Sequence, residues 1–211
     1  MPTVAKRKND PEGLKKRILS GALAIFAEFG LQGARLEQIA KEAETTKRMV
    51  VYHFSNKEQL YITTLEMVYQ QIRKHELGLD LSALTPSEAM ITLVEESFDY
   101  HLSHADFMRL VCSENLMHGR YIQQSDEIKN TNRMALRVLE DILVRGKTSG
   151  DFYPDLSAVD VHRLISSICV HQVSSRYTFD ALFNSEQSEE TSIARNRQMA
   201  VTATLRYITQ P

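Results

Sequence analysis

The sequence predicts an all-α fold of about nine helices: an N-terminal three-helix unit with a helix-turn-helix, then a larger helical domain. Three observations predict it. Apolar residues recur at three- and four-residue spacing through most of the 211 positions. Capping signals precede several of these runs. Glycine (8) and proline (5) are scarce, and no segment sustains the alternation of a strand.

The elements follow in order. Asp10-Pro11 is a helix start, an acceptor followed by a proline whose missing N–H costs nothing there. Leu14, Ile18, Ala22, Ile25 and Phe29 then mark one helical face, and Gly30 is placed to end it. A short second helix carries Leu36, Ile39, Ala40 and Ala43. Thr45-Thr46 offers a cap for a third, Lys47 to about Phe54. Asn56 and Gln59 have capping-box spacing and open a long helix from Lys57 to about His75. Thr85-Pro86-Ser87-Glu88 joins a capping box to a proline at the first helical position, starting a helix to about Ser103. His104-Ala105-Asp106 reads as a break before a helix to about His118, which Gly119 can end. Ile122 to about Arg145 is a further long helix, and Gly146 to Ser157 is the clearest loop. The last two helices run over about Ala158–Phe183 and Thr191–Ile208, joined by the polar stretch Asn184 to Glu190.

Composition bounds the function. A chain this long buries enough surface to fold without a metal or disulfide. No run of about 18 apolar residues is present, so no membrane partner is expected. Cys112 and Cys169 both lie in apolar segments, which points to a reducing cytoplasm. The net charge of −2 hides an asymmetry. Residues 1–60 hold 11 Lys/Arg against 7 Asp/Glu, whereas the remainder holds 14 against 20. A basic first quarter on an acidic body suggests that this quarter meets a polyanion.

The segment from Arg35 to Phe54 is helix, short turn, helix, preceded by an amphipathic helix. This is the smallest unit that holds a recognition helix rigidly against a major groove. Thr45, Thr46, Lys47 and Arg48 sit at the start of the third helix, where side chains reach base edges and free N–H groups favour phosphate. Tyr52, His53 and Lys57 lie at its far end, placed for the flanking backbone.

Arg35-Leu36-Glu37-Gln38-Ile39-Ala40, then Thr46-Lys47, Tyr52-His53-Phe54 and Ser55-Asn56-Lys57-Glu58-Gln59-Leu60-Tyr61 resemble the DNA-binding signature of the TetR (tetracycline-repressor-like) family. The match covers roughly residues 14–61. The resemblance implies a DNA-binding regulator, usually a repressor, with residues 1–60 binding DNA and residues 61–211 binding an effector and dimerising. It implies that Thr46, Lys47 and Arg48 contact bases or nearby phosphates, and that Tyr52, His53 and Lys57 grip phosphates; Arg35 and Thr45 are further candidate DNA contacts. Lys6-Arg7-Lys8 is a candidate minor-groove arm. Two positions depart from the pattern: Glu44 replaces the turn glycine, which permits positive φ, and Val51 replaces a common aromatic residue. The stretch is also similar to a pyrimidine-sensing branch of the family. No ligand-contacting set matches that branch, so no pyrimidine effector is carried over.

One helix-turn-helix buries too little surface for specific binding, so a homodimer on a double-stranded operator is expected. The last two helices are the expected interface, through Leu164, Ile168, Gln172, Val201, Leu205 and Ile208. An unknown small-molecule effector would enter the helices between about Leu60 and Arg145. Phe98, His101, Met108, Cys112 and Asn115, with His171 from a later helix, are candidate contacts, since a pocket needs apolar walls and a few polar anchors. No cofactor is implied. Catalysis is disfavoured: His101-x-x-His104 and Glu114-x-x-x-His118 have ligand-like spacing, but no Cys pair, His-Glu-x-x-His, phosphate loop or nucleophile elbow accompanies them. The alternative is a helical protein-interaction module that no longer reads DNA.

Overall fold

The structure, a computed structural model, describes residues 10–183 and 188–209. Ten α-helices make up the described chain: α1 (Pro11–Gly33), α2 (Leu36–Glu42), α3 (Lys47–Phe54), α4 (Lys57–Leu77), α5 (Pro86–Ser103), α6 (Ala105–Leu116), α7 (Asp126–Ser149), α8 (Ala158–Ser174), α9 (Arg176–Phe183) and α10 (Glu189–Thr209). A single 3-10 turn, Ile122–Gln124, precedes α7. Lys6-Arg7-Lys8 and the start of the polar connection at Asn184 lie outside the described residues.

The caps explain the starts. The Asp10 carboxylate accepts the Gly13 N–H at 2.9 Å, Thr46 accepts from Met49, and Asn56 from Gln59 at 2.8 Å. Thr85 and Glu88 close the expected box in both directions.

Several boundaries differ from the sequence reading, each for a local reason. Gly30 (φ 65) breaks α1, after which Leu31–Gly33 turns once more and Ala34 returns its N–H to Gly30. Phe29 is 43% exposed, because the face that buries Ile18 and Ala22 continues through Phe26 instead. The end of α6 is set by His118 (φ 58), not by Gly119: Gly119 donates to Glu114 O and His118 to Asn115 O, the paired bonds of a Schellman motif. Helix α7 begins after Ser125, whose hydroxyl accepts the Ile128 N–H. It runs through Gly146 to Ser149 and ends on the left-handed Gly150. Gly146 lies inside the helix, where the Phe152 ring fills the space a side chain would take. The expected long helix over Ala158–Phe183 is two, since the chain breaks at Ser175, where the Thr178 hydroxyl takes the Ser175 carbonyl.

Burial is organised in two clusters. The first joins Ile18, Ala22 and Phe26 of α1 to Ile39, Val50 and Phe54, then continues through Leu60, Tyr61, Leu65 and Ile72 of α4 into Phe107 and Leu110 of α6. Phe26 and Tyr61 meet edge to face at 5.0 Å, as do Tyr61 and Tyr121 at 5.3 Å. The second joins Met90, Val94 and Phe98 of α5 to Ile142 of α7, Val161, Ile165 and Cys169 of α8, and Ala200 and Ile208 of α10. The first core crosses residue 60 without a gap, so the helix-turn-helix is seated on the rest of the molecule through α4 and α6.

Candidate nucleic-acid interface and effector cavity

The turn between α2 and α3 positions α3. Thr45 donates its N–H to Ala40 O and Glu44 to Lys41 O, closing a second Schellman motif with Glu44 at φ 50. The departure noted at Glu44 therefore falls on a left-handed residue. Val50 and Phe54 anchor α3 in the first core. Consequently Lys47, Arg48, Val51 and Tyr52, at i, i+1, i+4 and i+5, share its exposed face, with Tyr52 78% exposed.

The other expected contacts have mixed placements. Thr46 is exposed and caps α3; Thr45 is half-buried. Lys47 Nζ reaches Glu37 Oε1 of α2 at 2.8 Å, and this hydrogen bond chiefly holds the Glu37 carboxyl below its usual range. Arg35 is exposed at the start of α2, its N–H held by the Gln38 side chain at 2.9 Å. His53 turns inward: its Nε2 is buried without a hydrogen-bond partner among the described residues, and its ring lies edge to face against Tyr52 at 5.2 Å. Lys57 is half-buried and donates from Nζ to Ala34 O at 3.1 Å. It thus ties the start of α4 to the α1–α2 link.

A cavity of about 390 Å³ lies in the larger domain between α4, α5, α6, α7 and α8. Its apolar wall includes Phe107, Met108, Leu139 and Ile165; its polar groups include Tyr69, Arg73, Glu76, His101, Asn132 and His162. Arg73 and Glu76 form a buried pair, with Nη1 to Oε2 at 2.6 Å. Burial pulls the guanidinium below its ordinary value and pushes the carboxyl above its own, the direction expected of charges withdrawn from water. His101 Nδ1 lies 2.5 Å from Ser97 O, and burial lowers the imidazole's pKa. Burial, then the nearby Arg73 and His101, bring His162 down to about 4. Both rings are therefore neutral at physiological pH.

Of the six expected effector contacts, His101 and Met108 line this cavity. Phe98 is buried in the second core. Cys112 is half-buried beyond the wall, and Asn115 is exposed with its amide on Val111 O. His171 lies instead in a separate cleft of about 690 Å³ formed by α8, α9 and α10. Sequence reading missed Tyr69, Arg73, Glu76 and His162. The first three stand at i, i+4 and i+7, a polar stripe legible on one face of α4.

The expected pairing residues also divide. Ile168 and Gln172 line the 690 Å³ cleft, and Gln172 accepts from Asn196 of α10 at 2.6 Å. Leu164 and Leu205 are half-buried. Val201 and Ile208 are 5% and 0% exposed, because they fill the core of their own chain, so neither presents a surface to a second copy. Met199, Tyr177, Phe179, Leu182 and Phe183 are the exposed apolar groups at this end.

The ligand-like pairs do not assemble. His104 stacks on Tyr100 at 3.9 Å, and Glu114 Oε1 accepts the Tyr121 and Ile122 N–H groups. Among the described residues no three His, Cys, Asp or Glu converge as a metal set. No helix of the described chain is long and apolar enough to cross a membrane.

Known proteins share this architecture. Residues 18–63 match the model of bacterial regulatory proteins of the tetR family, and residues 86–203 match a tetracyclin repressor-like C-terminal domain. The HTH-type transcriptional repressor NicS of Pseudomonas putida is 30% identical over 175 residues, 83% of this chain and 82% of that protein. The HTH-type transcriptional regulator RutR of Escherichia coli is 46% identical over 114 residues, 54% of this chain and 53% of that one. Among solved structures, a transcriptional regulator of Streptomyces coelicolor, SCO4942, superposes with a TM-score of 0.70 at 25% identity, covering 94% of this chain and 99% of that one. Matches at both ends, with an all-helical body between and around them, leave one assignment: this chain belongs to the TetR family of bacterial regulatory proteins.

Proposed function

We propose that the protein is a cytoplasmic, homodimeric repressor that leaves its operator when a small effector occupies the 390 Å³ cavity. The exposed face of α3 carries this reading: Lys47, Arg48, Val51 and Tyr52 point outward while Val50 and Phe54 fix the helix to the core. Residues 1–60 serve as the DNA-binding unit and residues 61–211 as the effector-binding and dimerising unit. Arg48 and Lys47 supply charge to the groove, the latter exchanging Glu37 for phosphate. Tyr52 extends to the flanking backbone. Lys57 and His53 act behind this face: Lys57 holds Ala34, and His53 supports Tyr52.

Effector release follows from the shared helices. Tyr69, Arg73 and Glu76 line the cavity from α4, and Phe107 and Met108 from α6. Helix α4 also packs on α1 and α3, and α6 packs on α1, so both touch the three-helix unit. A ligand that fits better when these helices are displaced lowers DNA affinity by that same difference.

Fluorescence anisotropy with DNA from around the protein's own gene, across a salt series and against random duplex, tests the reading. The expected outcome is tight, dimer-stoichiometric binding to a specific fragment, with log K falling steeply against log salt. Absence of binding to any fragment selected genome-wide would replace it with the protein-interaction alternative.

A further inference from the structure

We propose that the cavity binds a small organic monocarboxylate through the free edge of the Arg73 guanidinium; the proposal rests on reading this cavity as the effector site. A guanidinium presents its donors along edges. Glu76, one turn further along α4, reaches only the Nη1 corner, at 2.6 Å. The edge formed by Nε–H and Nη2–H is left over, and it matches the two oxygens of a carboxylate. Nε is buried and has no hydrogen-bond partner among the described residues. No bond from Nη2 to a described residue accompanies the Nη1 contact. Arg73 is only 6% exposed and lines the cavity, so the acceptor for its leftover donors has to come from within that cavity. A buried charged donor left this way is costly unless something else completes it.

The rest of the cavity sets the remainder of the ligand. Arg73 is the one Lys or Arg among the lining residues, Glu76 already holds one corner of its guanidinium, and the two imidazoles are neutral, so the cavity accommodates at most one further anionic group. Phe107, Met108, Leu139 and Ile165 offer an apolar surface to the body of the molecule. A volume of about 390 Å³ stands near the lower end of the roughly 300–1,000 Å³ usual for ligand sites, which favours a single ring or short chain.

The test uses the full-length protein without DNA at pH 7.5, titrated calorimetrically with benzoate and phenylacetate and with their neutral amides, benzamide and phenylacetamide. The carboxylates are expected to bind at least tenfold more tightly than the amides. Arg73→Lys keeps the charge but loses the fork, and most of the preference should vanish. The double variant Arg73→Gln/Glu76→Gln removes both charges together, so no lone buried ion remains; folded by circular dichroism, it should bind acid and amide alike. Equal affinity for acids and amides, an unchanged preference in the double variant, or no binding by any of the four compounds overturns the proposal. DNA release is read separately by anisotropy. Carboxylate binding that leaves DNA affinity intact sustains the ligand class and overturns the effector reading; release by the amides alone does the reverse.

Discussion

Two residues show how single side chains set the behaviour of this fold. Glu44 occupies the left-handed end of α2, where a Cβ is disfavoured by about 1–2 kcal/mol and glycine's extra freedom returns part of that. Glu44→Gly should therefore be more stable than Glu44→Ala, which loses the same side-chain contacts, by about 0.5–1 kcal/mol, with Tm higher by about 2 °C in differential scanning calorimetry. His162 carries a pH dependence. Its folded pKa of about 4 lies below that of the unfolded chain, so the unfolded state takes the proton first as pH falls. Its stabilising contribution is whole above about pH 6.5 and declines toward pH 4, by up to about 3 kcal/mol. The raised carboxyl of Glu76 works in the opposite direction, so the wild type alone does not isolate the effect. His162→Gln should flatten the fall of Tm between pH 6.5 and 4, measured against wild type in the same buffers.

At the scale of elements, α3 and α7 make separate predictions. Lys47→Ala removes an exposed side chain and its surface bond to Glu37, and Tyr52→Ala removes an exposed ring that touches His53. Each should weaken specific DNA binding by about tenfold while destabilising the fold by no more than about 1 kcal/mol, and Lys47→Ala should reduce the salt slope by about one. In α7, Gly146→Ala drives a methyl into the Phe152 ring and should cost about 1–3 kcal/mol, read as a lower urea midpoint. These two helices also show what the sequence made legible. Capping chemistry is local, so Thr46, Asn56 and Thr85 announced their helices correctly. The extent of α7 was not local: Gly146 reads as punctuation until Phe152, six residues on, is seen packed against it. The candidate sites behave likewise. The exposed face of α3 follows from one contiguous motif, Arg35 to Phe54, whereas the cavity gathers residues from five helices. His101 and Met108 were legible within one apolar run, but Arg73 and His162 meet only through tertiary packing.

For the whole molecule, the proposed homodimer is expected to pair along the cleft beside α8 and α10. Exposed Met199, together with half-buried Ile168 and Gln172, lies along it. Light scattering after size exclusion should give twice the 24.1 kDa chain mass, and Met199→Glu should shift the population toward monomer while lowering DNA affinity. A monomer mass for the wild type would place pairing elsewhere or deny it.

The bond from Lys57 to Ala34 carries a consequence for the geometry of signalling. Arg73 stands 16 residues along the same uninterrupted helix, about 24 Å away at 1.5 Å per residue. Under the proposed effector mechanism, helix α4 is a lever pinned at one end to the α1–α2 link and loaded near the other by the cavity's occupant. A tilt of about 5° sweeps the pinned end through an arc of about 2 Å over that length. In a symmetric pair both arms swing, so the separation of the two reading heads changes by up to twice that arc. Half-sites on a duplex do not stretch to follow, and a modest rearrangement around a small molecule becomes a misfit in the spacing of two grooves.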